Sequence, residues 1–450
     1  MIDIVIVGGG TAGWSCAAAL SKNNNLNITL INPKDDQRIG VGESTLPLIR
    51  QFHKTFSLFD DNAWLKKVNG TLKYTLEFES FMEINSSKWV HPLSSNKEYE
   101  QFMSLRNTQM DNLTFSDKYF FAQKLRNTKY SDIGNYNLEL GAFHLDALLY
   151  SKELKNIAIK RGVTYLEQSV KNIIQEEQIT KSLILEDNSC IEAELFIDCT
   201  GFKNLLFKNL KSKFETFSNR LFCDRAVAIK LDYKDKKEQK INATLAKALK
   251  YGWVWHVPLE EKIGFGYVYS SKHTSKQDAQ IEFIKYLENR YFYDLKNDNF
   301  QFLKYRTGVH RNSWIGNNIA IGLSSFFIEP IESTGIALFQ IQIMELSKIL
   351  ETNPNFYKNY IPKYNQSIYE YIISVKNFIE IHYIKSNRKD TKFWVDATTI
   401  QPNDFQKKVL NLYENKNYLE IVTYELAGIF GNLSWLHLLM GMDKEKSNNK

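Results

Sequence analysis

The chain has 450 residues, 43% hydrophobic and 24% charged, a balance that builds a buried core and excludes a disordered polypeptide. Its 57 basic and 51 acidic side chains leave a formal charge of +6. The lysines are interspersed with Asp and Glu, so no nucleic-acid footprint is present.

In chain order, Ile2–Val7 reads as a strand, residues 14–20 as a helix and Leu26–Ile31 as the next strand, a βαβ opening. Because the first strand starts at Ile2, no signal peptide is expected before it. Residues 143–160 have helical spacing, and 163–170 read as a strand. Segments 182–185 and 191–199, separated by a polar turn, read as a hairpin or meander. Segments 253–258 and 264–270 read as neighbouring strands, and 333–350, 356–384 and 406–442 as helices. No apolar run reaches the roughly 18 residues of a membrane span. Cys16, Cys190, Cys199 and Cys223 show neither CxxC nor zinc spacing, so reduced thiols, no metal and a cytoplasmic location are expected. No repeat or linker interrupts the pattern. Nucleotide-binding and substrate-binding regions are therefore expected to interleave over residues 1–350, with a helical region over 351–450 completing the substrate site.

Gly8-Gly9-Gly10-Thr11-Ala12-Gly13 fits G-x-G-x-x-G between an expected strand and an expected helix, which is the context the motif requires. Gly8 allows the tight turn, Gly10 the approach of backbone to a pyrophosphate, and Gly13 the packing of helix on strand. Thr11 and Ala12 open the helix, whose first N–H groups face the phosphates. The second strand ends in Asn32 instead of Asp or Glu, which keeps a hydrogen bond to a ribose hydroxyl but not the charge. The loop alone does not separate FAD from NAD. Three stretches favour FAD: the turn holding Gly42, Glu43 and Ser44; the apolar strand ending in Asp198 and Gly201; and the late strand ending at Gly322. That late strand precedes a helix whose first N–H groups, around Ile336, suit an isoalloxazine ring or an anion. A second dinucleotide loop is missing from the sequence, so reduced flavin is expected from elsewhere.

Trp253-Val254-Trp255-His256-Val257-Pro258 resembles the W-x-W-x-I-P signature of flavin-dependent halogenases, the family that includes the tryptophan halogenases. Residues 322–336, GLSSFFIEPIESTGI, are similar to the family's G-L-S-S-x-F-x-E-P-x-E-S-T-G-I segment, and 70–78 to its lysine strand. Phe143-His144-Leu145-Asp146, residues 196–201, and Tyr383 with Arg388 and Phe393-Trp394 follow in the family's order. The resemblance implies an α/β fold with an FAD-binding, GR2-like Rossmann-type domain, an interleaved substrate-binding β-sheet region and a helical C-terminal part. It implies that FADH2, O2 and a halide (chloride, bromide or iodide) give hypohalous acid. This oxidant reaches Lys73, which hydrogen-bonds it or becomes an N-haloamine. Glu332 then stabilises the cationic arene or removes its proton. Backbone N–H groups of Thr334 and Gly335 are expected at the halide, and Glu43 at flavin or halide. His91, Leu93, Trp253, Trp255, Pro258 and Ser333 are expected along the tunnel and substrate site. The implied partners are a small aromatic substrate and a separate flavin reductase, with no nucleic acid or membrane; a homo-oligomer is left open. An FAD-dependent monooxygenase of the same fold group is the alternative, and the Trp-x-Trp strand and Lys73 argue against it.

The pattern also departs from the tryptophan enzymes. Where they place a Phe two residues after the substrate-facing His, this chain has Leu93, and their Trp eight residues after the lysine is Phe81. An aromatic face lost from a stack costs about 0.5–1.5 kcal/mol. The C-terminal carboxylate-gripping segment has only a loose counterpart in Tyr424-Glu425 and Trp435. A more open site is expected, taking indoles or phenols and not free tryptophan.

Overall fold

The computed structural model describes residues 1–34, 40, 42–59, 63–85, 88–93, 141–295, 299–352, 357–417, 420–421 and 428–447. Its nucleotide-binding layer is a six-stranded sheet in the order Trp314–Ile315, Asn318–Ala320, Leu195–Asp198, Ile2–Val7, Leu26–Ile31, Thr164–Leu166. The four pairings from Asn318–Ala320 to Thr164–Leu166 are parallel. Such a sheet is covered on both faces, and the Ile-Val-Ile-Val run of the first strand is buried accordingly. The following helix, Thr11–Leu20, is buried from Gly13 to Leu20. Its small residues Ala17, Ala18 and Ala19 let the sheet and two further helices, Ala147–Lys160 and Gly335–Thr352, close against it.

A seven-stranded sheet forms the second layer, in the order Gln301–Lys304, Arg225–Asp232, Lys262–Tyr269, Gly252–Pro258, Ala243–Ala248, Thr75–Glu79, Trp89–Pro92. The expected neighbours at 253–258 and 264–270 pair antiparallel, with Trp253 opposite Val268. A three-stranded sheet bridges the layers: Ala142–Asp146 lies between Gly42–Ser44 and Thr71–Lys73. It joins the turn bearing Glu43 to the strand bearing Lys73.

Several element boundaries differ from the sequence reading. The helix expected over 143–160 starts at Ala147, because Phe143 to Asp146 are a fully buried strand. Asp146 ends that strand and caps the helix, its Oδ1 accepting from Leu148 N (2.9 Å) and Leu149 N (3.2 Å). The strand expected over 163–170 is divided. Thr164–Leu166 joins the parallel sheet, and Val170–Glu176 starts a meander with Ile179–Leu185 and Cys190–Glu192. Segment 191–199 divides likewise, since Leu195–Asp198 leaves the meander to pair with Ile4–Val7. In the helical part, Ser333 takes a left-handed conformation (φ 61°), so the helix begins at Gly335, after the short turn Pro330–Glu332. The segment expected over 356–384 forms a turn at Tyr357–Tyr360 and the helix Ile361–Ile384. Helices Asp404–Glu414 and Asn432–Ser447 account for part of 406–442. The helical region is tied to the sheets by Arg220, whose guanidinium grips Glu380 at 2.7 and 2.8 Å, while Gln406 adds a bond to Glu380 at 2.9 Å.

Cys16, Cys199 and Cys223 are buried and Cys190 is exposed; all four are free thiols. Among the described residues, no helix is long and apolar enough to cross a membrane.

Asp146 holds Lys230 on its other oxygen at 2.7 Å. Asp146→Ala is expected to lower stability by about 1–2 kcal/mol, most of it from the lost cap. Urea denaturation checks this: an unchanged midpoint would show that the cap does not hold the helix.

Candidate active site

The glycine loop has the shape its sequence implies. Gly8 has φ +107°, and a Cβ on it would lie 2.4 Å from the Cys199 carbonyl oxygen. A Cβ on Gly13 would lie 1.9 Å from the Gly8 oxygen, so helix and turn touch. A Cβ on Gly10 would meet no protein atom within 4 Å, which leaves its outer side free for a phosphate group. Thr11 opens the helix with its hydroxyl 3.2 Å from that of Ser151. Asn32, expected at a ribose, braces this loop. Its Oδ1 accepts from Gly9 N at 2.7 Å, and its Nδ2 donates to Pro33 O at 2.9 Å. Asp198 is buried and accepts from Thr200 N, Thr200 Oγ1, Leu206 N and Ser324 Oγ. It thereby holds together the two turns that carry Gly201 and Gly322. Ala12 packs against Gly322, whose added Cβ would stand 2.9 Å from that of Ala12. The loop, the helix start and the open space over Gly10 suit a dinucleotide pyrophosphate, and the residues present fit FAD.

Around the bridging sheet, Gly42 lies so close to the Trp-x-Trp strand that a Cβ would reach Val257 Cγ1 at 2.8 Å. The next residue, Glu43, keeps partial access to solvent but is crowded by protein, and burial raises its carboxyl to about 7. Lys73 has no exposed surface, and its Nζ donates to Thr45 O at 2.9 Å. Burial lowers its ammonium to about 7, against the pull of Glu332. Neutral and charged amine therefore coexist near neutral pH.

Glu332 is also fully buried, between two imidazoles. His91 Nδ1 donates to its Oε2 at 2.9 Å, and His382 Nε2 lies 3.0 Å from Oε1, close enough to pair but out of hydrogen-bond alignment. Burial alone pushes this carboxyl up. The charge of His91, the proximity of His382 and the hydrogen bond from His91 outweigh it and hold the pKa at about 2. Next in sequence, Ser333 donates to Ser44 at 3.0 Å. Thr334 is buried, whereas Gly335 is exposed and a Cβ on it would meet nothing within 4 Å. With buried Ile336 they form the helix start, where N–H groups lack helical acceptors.

Trp253 and Trp255 project from one strand with ring centroids 6.3 Å apart, and Pro258 ends that strand. The Trp253 indole donates to buried Glu329 at 3.4 Å. Glu329 also accepts from Tyr383 Oη (2.5 Å) and Cys223 N (3.3 Å). Burial raises its carboxyl to about 7 while these donors pull it down.

Sequence reasoning missed the roles of His382, Glu329 and His144. His382 comes from a distant helix, so no local pattern announces it. Glu329 and His144 lay inside quoted motifs, and their neighbours' spacing was the only signal. Lys73, His91, Leu93 and Glu332 are all buried, and Phe378, Phe430 and His437 surround His91 with ring centroids 5.8–6.4 Å away. Phe430 stacks on Phe378 at 3.9 Å, so the C-terminal region supplies aromatic cover beside the shorter Leu93. Trp435 turns into the helical core against Phe378 and Phe405. Tyr424 and Glu425 lie outside the described residues.

The chain is similar to known proteins along nearly its whole length. The tryptophan halogenase family pattern matches residues 3–449. The tryptophan 6-halogenase ThaL of Streptomyces albogriseolus is 28% identical over 95% of this chain and 85% of its own length. The tryptophan 7-halogenase RebH of Lentzea aerocolonigenes is 28% identical over 91% and 81%. Among solved structures, Xcc4156, a flavin-dependent halogenase from Xanthomonas campestris, superposes with a TM-score of 0.83 at 28% identity, covering 98% of this chain and 88% of that one.

Gly10 and Gly13 separate ligand contact from packing. Gly13→Ala is expected to lower the melting temperature, because its Cβ has no room. Gly10→Ala should leave melting unchanged and weaken FAD roughly tenfold, since only the pyrophosphate meets the methyl group. Melting curves and a flavin titration check both; equal affinity in Gly10→Ala would remove the phosphate from that spot.

Proposed function

The chain belongs to the tryptophan halogenase family and is a flavin-dependent halogenase; from that premise we propose that it halogenates a small electron-rich arene, an indole or phenol and not free tryptophan, through Lys73 and Glu332. The family's chemistry uses FAD, O2 and halide, an aromatic substrate and a separate flavin reductase. Bound reduced FAD would supply the two electrons that activate O2; O2 would then be the oxidant that turns halide into hypohalous acid, its other oxygen leaving as water. The observation that carries the reading is a fully buried lysine with its amine lowered to about 7, in the field of a carboxylate held at about 2.

Each group has a defined task. The neutral Lys73 amine takes the halogen from hypohalous acid, forming N–X and releasing water. The arene carbon attacks X, the C–X bond forms, and the N–X pair goes to nitrogen, which takes up a proton as the bond breaks, so that the amine is restored; the proton that the ring gives up makes good the one consumed. The carboxylate of Glu332, ionised across the working pH range, stabilises the cationic ring and takes its C–H proton. A carboxyl with so low a pKa is a weak base, but a cationic arene is a very strong acid, so the transfer is downhill. Thr334 and Gly335 N–H groups hold halide at the helix start. The rings of Trp253 and Trp255 wall the route, keeping substrate apart from the flavin. Aromatic neighbours around His91 favour a flat ring, and Leu93 reduces its sandwich. Bromide should outcompete chloride because it is easier to oxidise.

Purified protein with FAD, a generic flavin reductase, NADH, O2 and bromide should give brominated indoles and phenols, read as an isotope doublet by mass spectrometry. Lys73→Ala should abolish the doublet while retaining flavin. Tryptophan turnover at or above that of indole would overturn the substrate assignment; hydroxylated product without halide dependence would support a monooxygenase.

If the neutral amine carries the halogen, kcat/KM should rise with pH through an inflection near 7 and then level off. A fall above that pH would make Lys73 a cationic hydrogen-bond donor instead.

A further inference from the structure

One buried hydrogen-bond chain runs through the bridging sheet, and its direction can be read bond by bond. His144 sits on the central strand, opposite Ser44 on one side and Thr71 on the other. The Thr71 hydroxyl donates to Pro258 O at 2.6 Å, so toward His144 Nδ1, 2.9 Å away, Thr71 Oγ1 can only accept. His144 Nδ1 therefore carries the hydrogen. Burial, and then the charge of Lys73, keep this imidazole from protonating, its pKa lying well below the ordinary histidine value. A neutral ring with Nδ1–H has a bare Nε2, which accepts from the Thr244 hydroxyl at 2.8 Å. Thr244, its hydrogen committed, accepts from Ser44 at 2.7 Å, and Ser44 accepts from Ser333 at 3.0 Å.

The result is a one-way chain: Ser333 to Ser44, Thr244, His144, Thr71 and finally the Pro258 carbonyl. It joins the turn beside Glu332, the turn bearing Glu43, the lysine strand and the end of the Trp-x-Trp strand. With its hydrogen drawn inward, Ser333 Oγ offers only lone pairs in the other direction, beside Glu332 and the helix start.

We propose that His144 is a positioning residue for the halogenation reaction: through Thr244 and Ser44 its neutral Nδ1–H form fixes Ser333 as a hydrogen-bond acceptor, so that Ser333 orients the O–H of hypohalous acid on its way to Lys73. No proton is transferred along the chain in turnover. Its work is orientation, and loss of that orientation lets oxidant escape without meeting substrate.

Two measurements test this. The first is 15N NMR of histidine-labelled wild-type protein, with the His144 signal assigned by its loss in His144→Gln. A neutral Nδ1–H tautomer at pH 7 is expected; an Nε2–H or protonated ring would overturn the proposal, and this measurement requires no substrate. The second compares Thr244→Val and Thr244→Ser as holoenzymes, reading halogenated arene formed per flavin oxidised. Thr244→Val is expected to lower that ratio roughly five- to tenfold, the worth of about one hydrogen bond. Its flavin affinity should stay unchanged, and Thr244→Ser should restore the ratio. An unaltered ratio in Thr244→Val, or a loss that Thr244→Ser shares, would reduce the chain to scaffolding.

Discussion

The enzyme depends on keeping a lysine amine out of water without letting it find a permanent salt bridge. A buried ammonium is expensive, and an uncompensated one would either pull water inward or sequester the nearest carboxylate. Here the amine donates to a neutral backbone acceptor, the Thr45 carbonyl, while Glu332 acts on it through its field. The surrounding architecture serves that arrangement. The lysine strand is gripped by Ala142–Asp146 on one side, and two glycines admit the close backbone contacts this takes. A Cβ on Gly141 (φ +76°) would lie 2.5 Å from Lys73 O, and one on Gly70 would lie 2.8 Å from His144 O.

Glu332 poses the opposite problem, since a buried carboxyl tends to become neutral. Its two imidazole neighbours reverse that tendency, and they come from separate elements: His91 from an edge strand, His382 from the long helix Ile361–Ile384. The charge on Glu332 is thus stable only when sheet and helical region are docked. The Arg220–Glu380 grip, two residues from His382 on the same helix, contributes to that docking. Glu329, three residues before Glu332, is left in a different balance. Burial raises it to about 7 against hydroxyl, indole and amide donors, and it anchors Trp253. Two carboxyls on one short turn are set apart by their neighbours alone.

Much of the nucleotide half was legible because its signals are local. Strand, glycine turn and small-residue helix follow one another directly, and steric contacts at Gly8 and Gly13 confirm why glycine stands there. Lys73, Glu332 and the two tryptophans were legible only through the ordered motifs that resemble a family; taken singly, none of their residue types signals chemistry. Boundaries failed where tertiary contacts overrode pattern. Phe143 to Asp146 shares apolar spacing with the following helix but is drawn into a sheet by Gly42–Ser44 and Thr71–Lys73. The rings beside His91 were not legible, because Leu93 was weighed against one missing ring while Phe430 and Phe378 arrive from sequence positions far away. The bracing of Gly9 by Asn32 was not legible, since it depends on where the loop folds back.

The distribution of the four cysteines bears on how long such a catalyst survives its own chemistry. Hypohalous acids attack thiolates far faster than most side chains, so a sulfur that ionises close to the source would be consumed. Burial pushes the thiols of Cys16, Cys199 and Cys223 upward, keeping them in the less nucleophilic form within the fold. Cys190 is the exception, exposed on the outer strand of the small meander. Of the four thiols it is the one that an oxidant in solution reaches first, on the edge of a small sheet and not within the core.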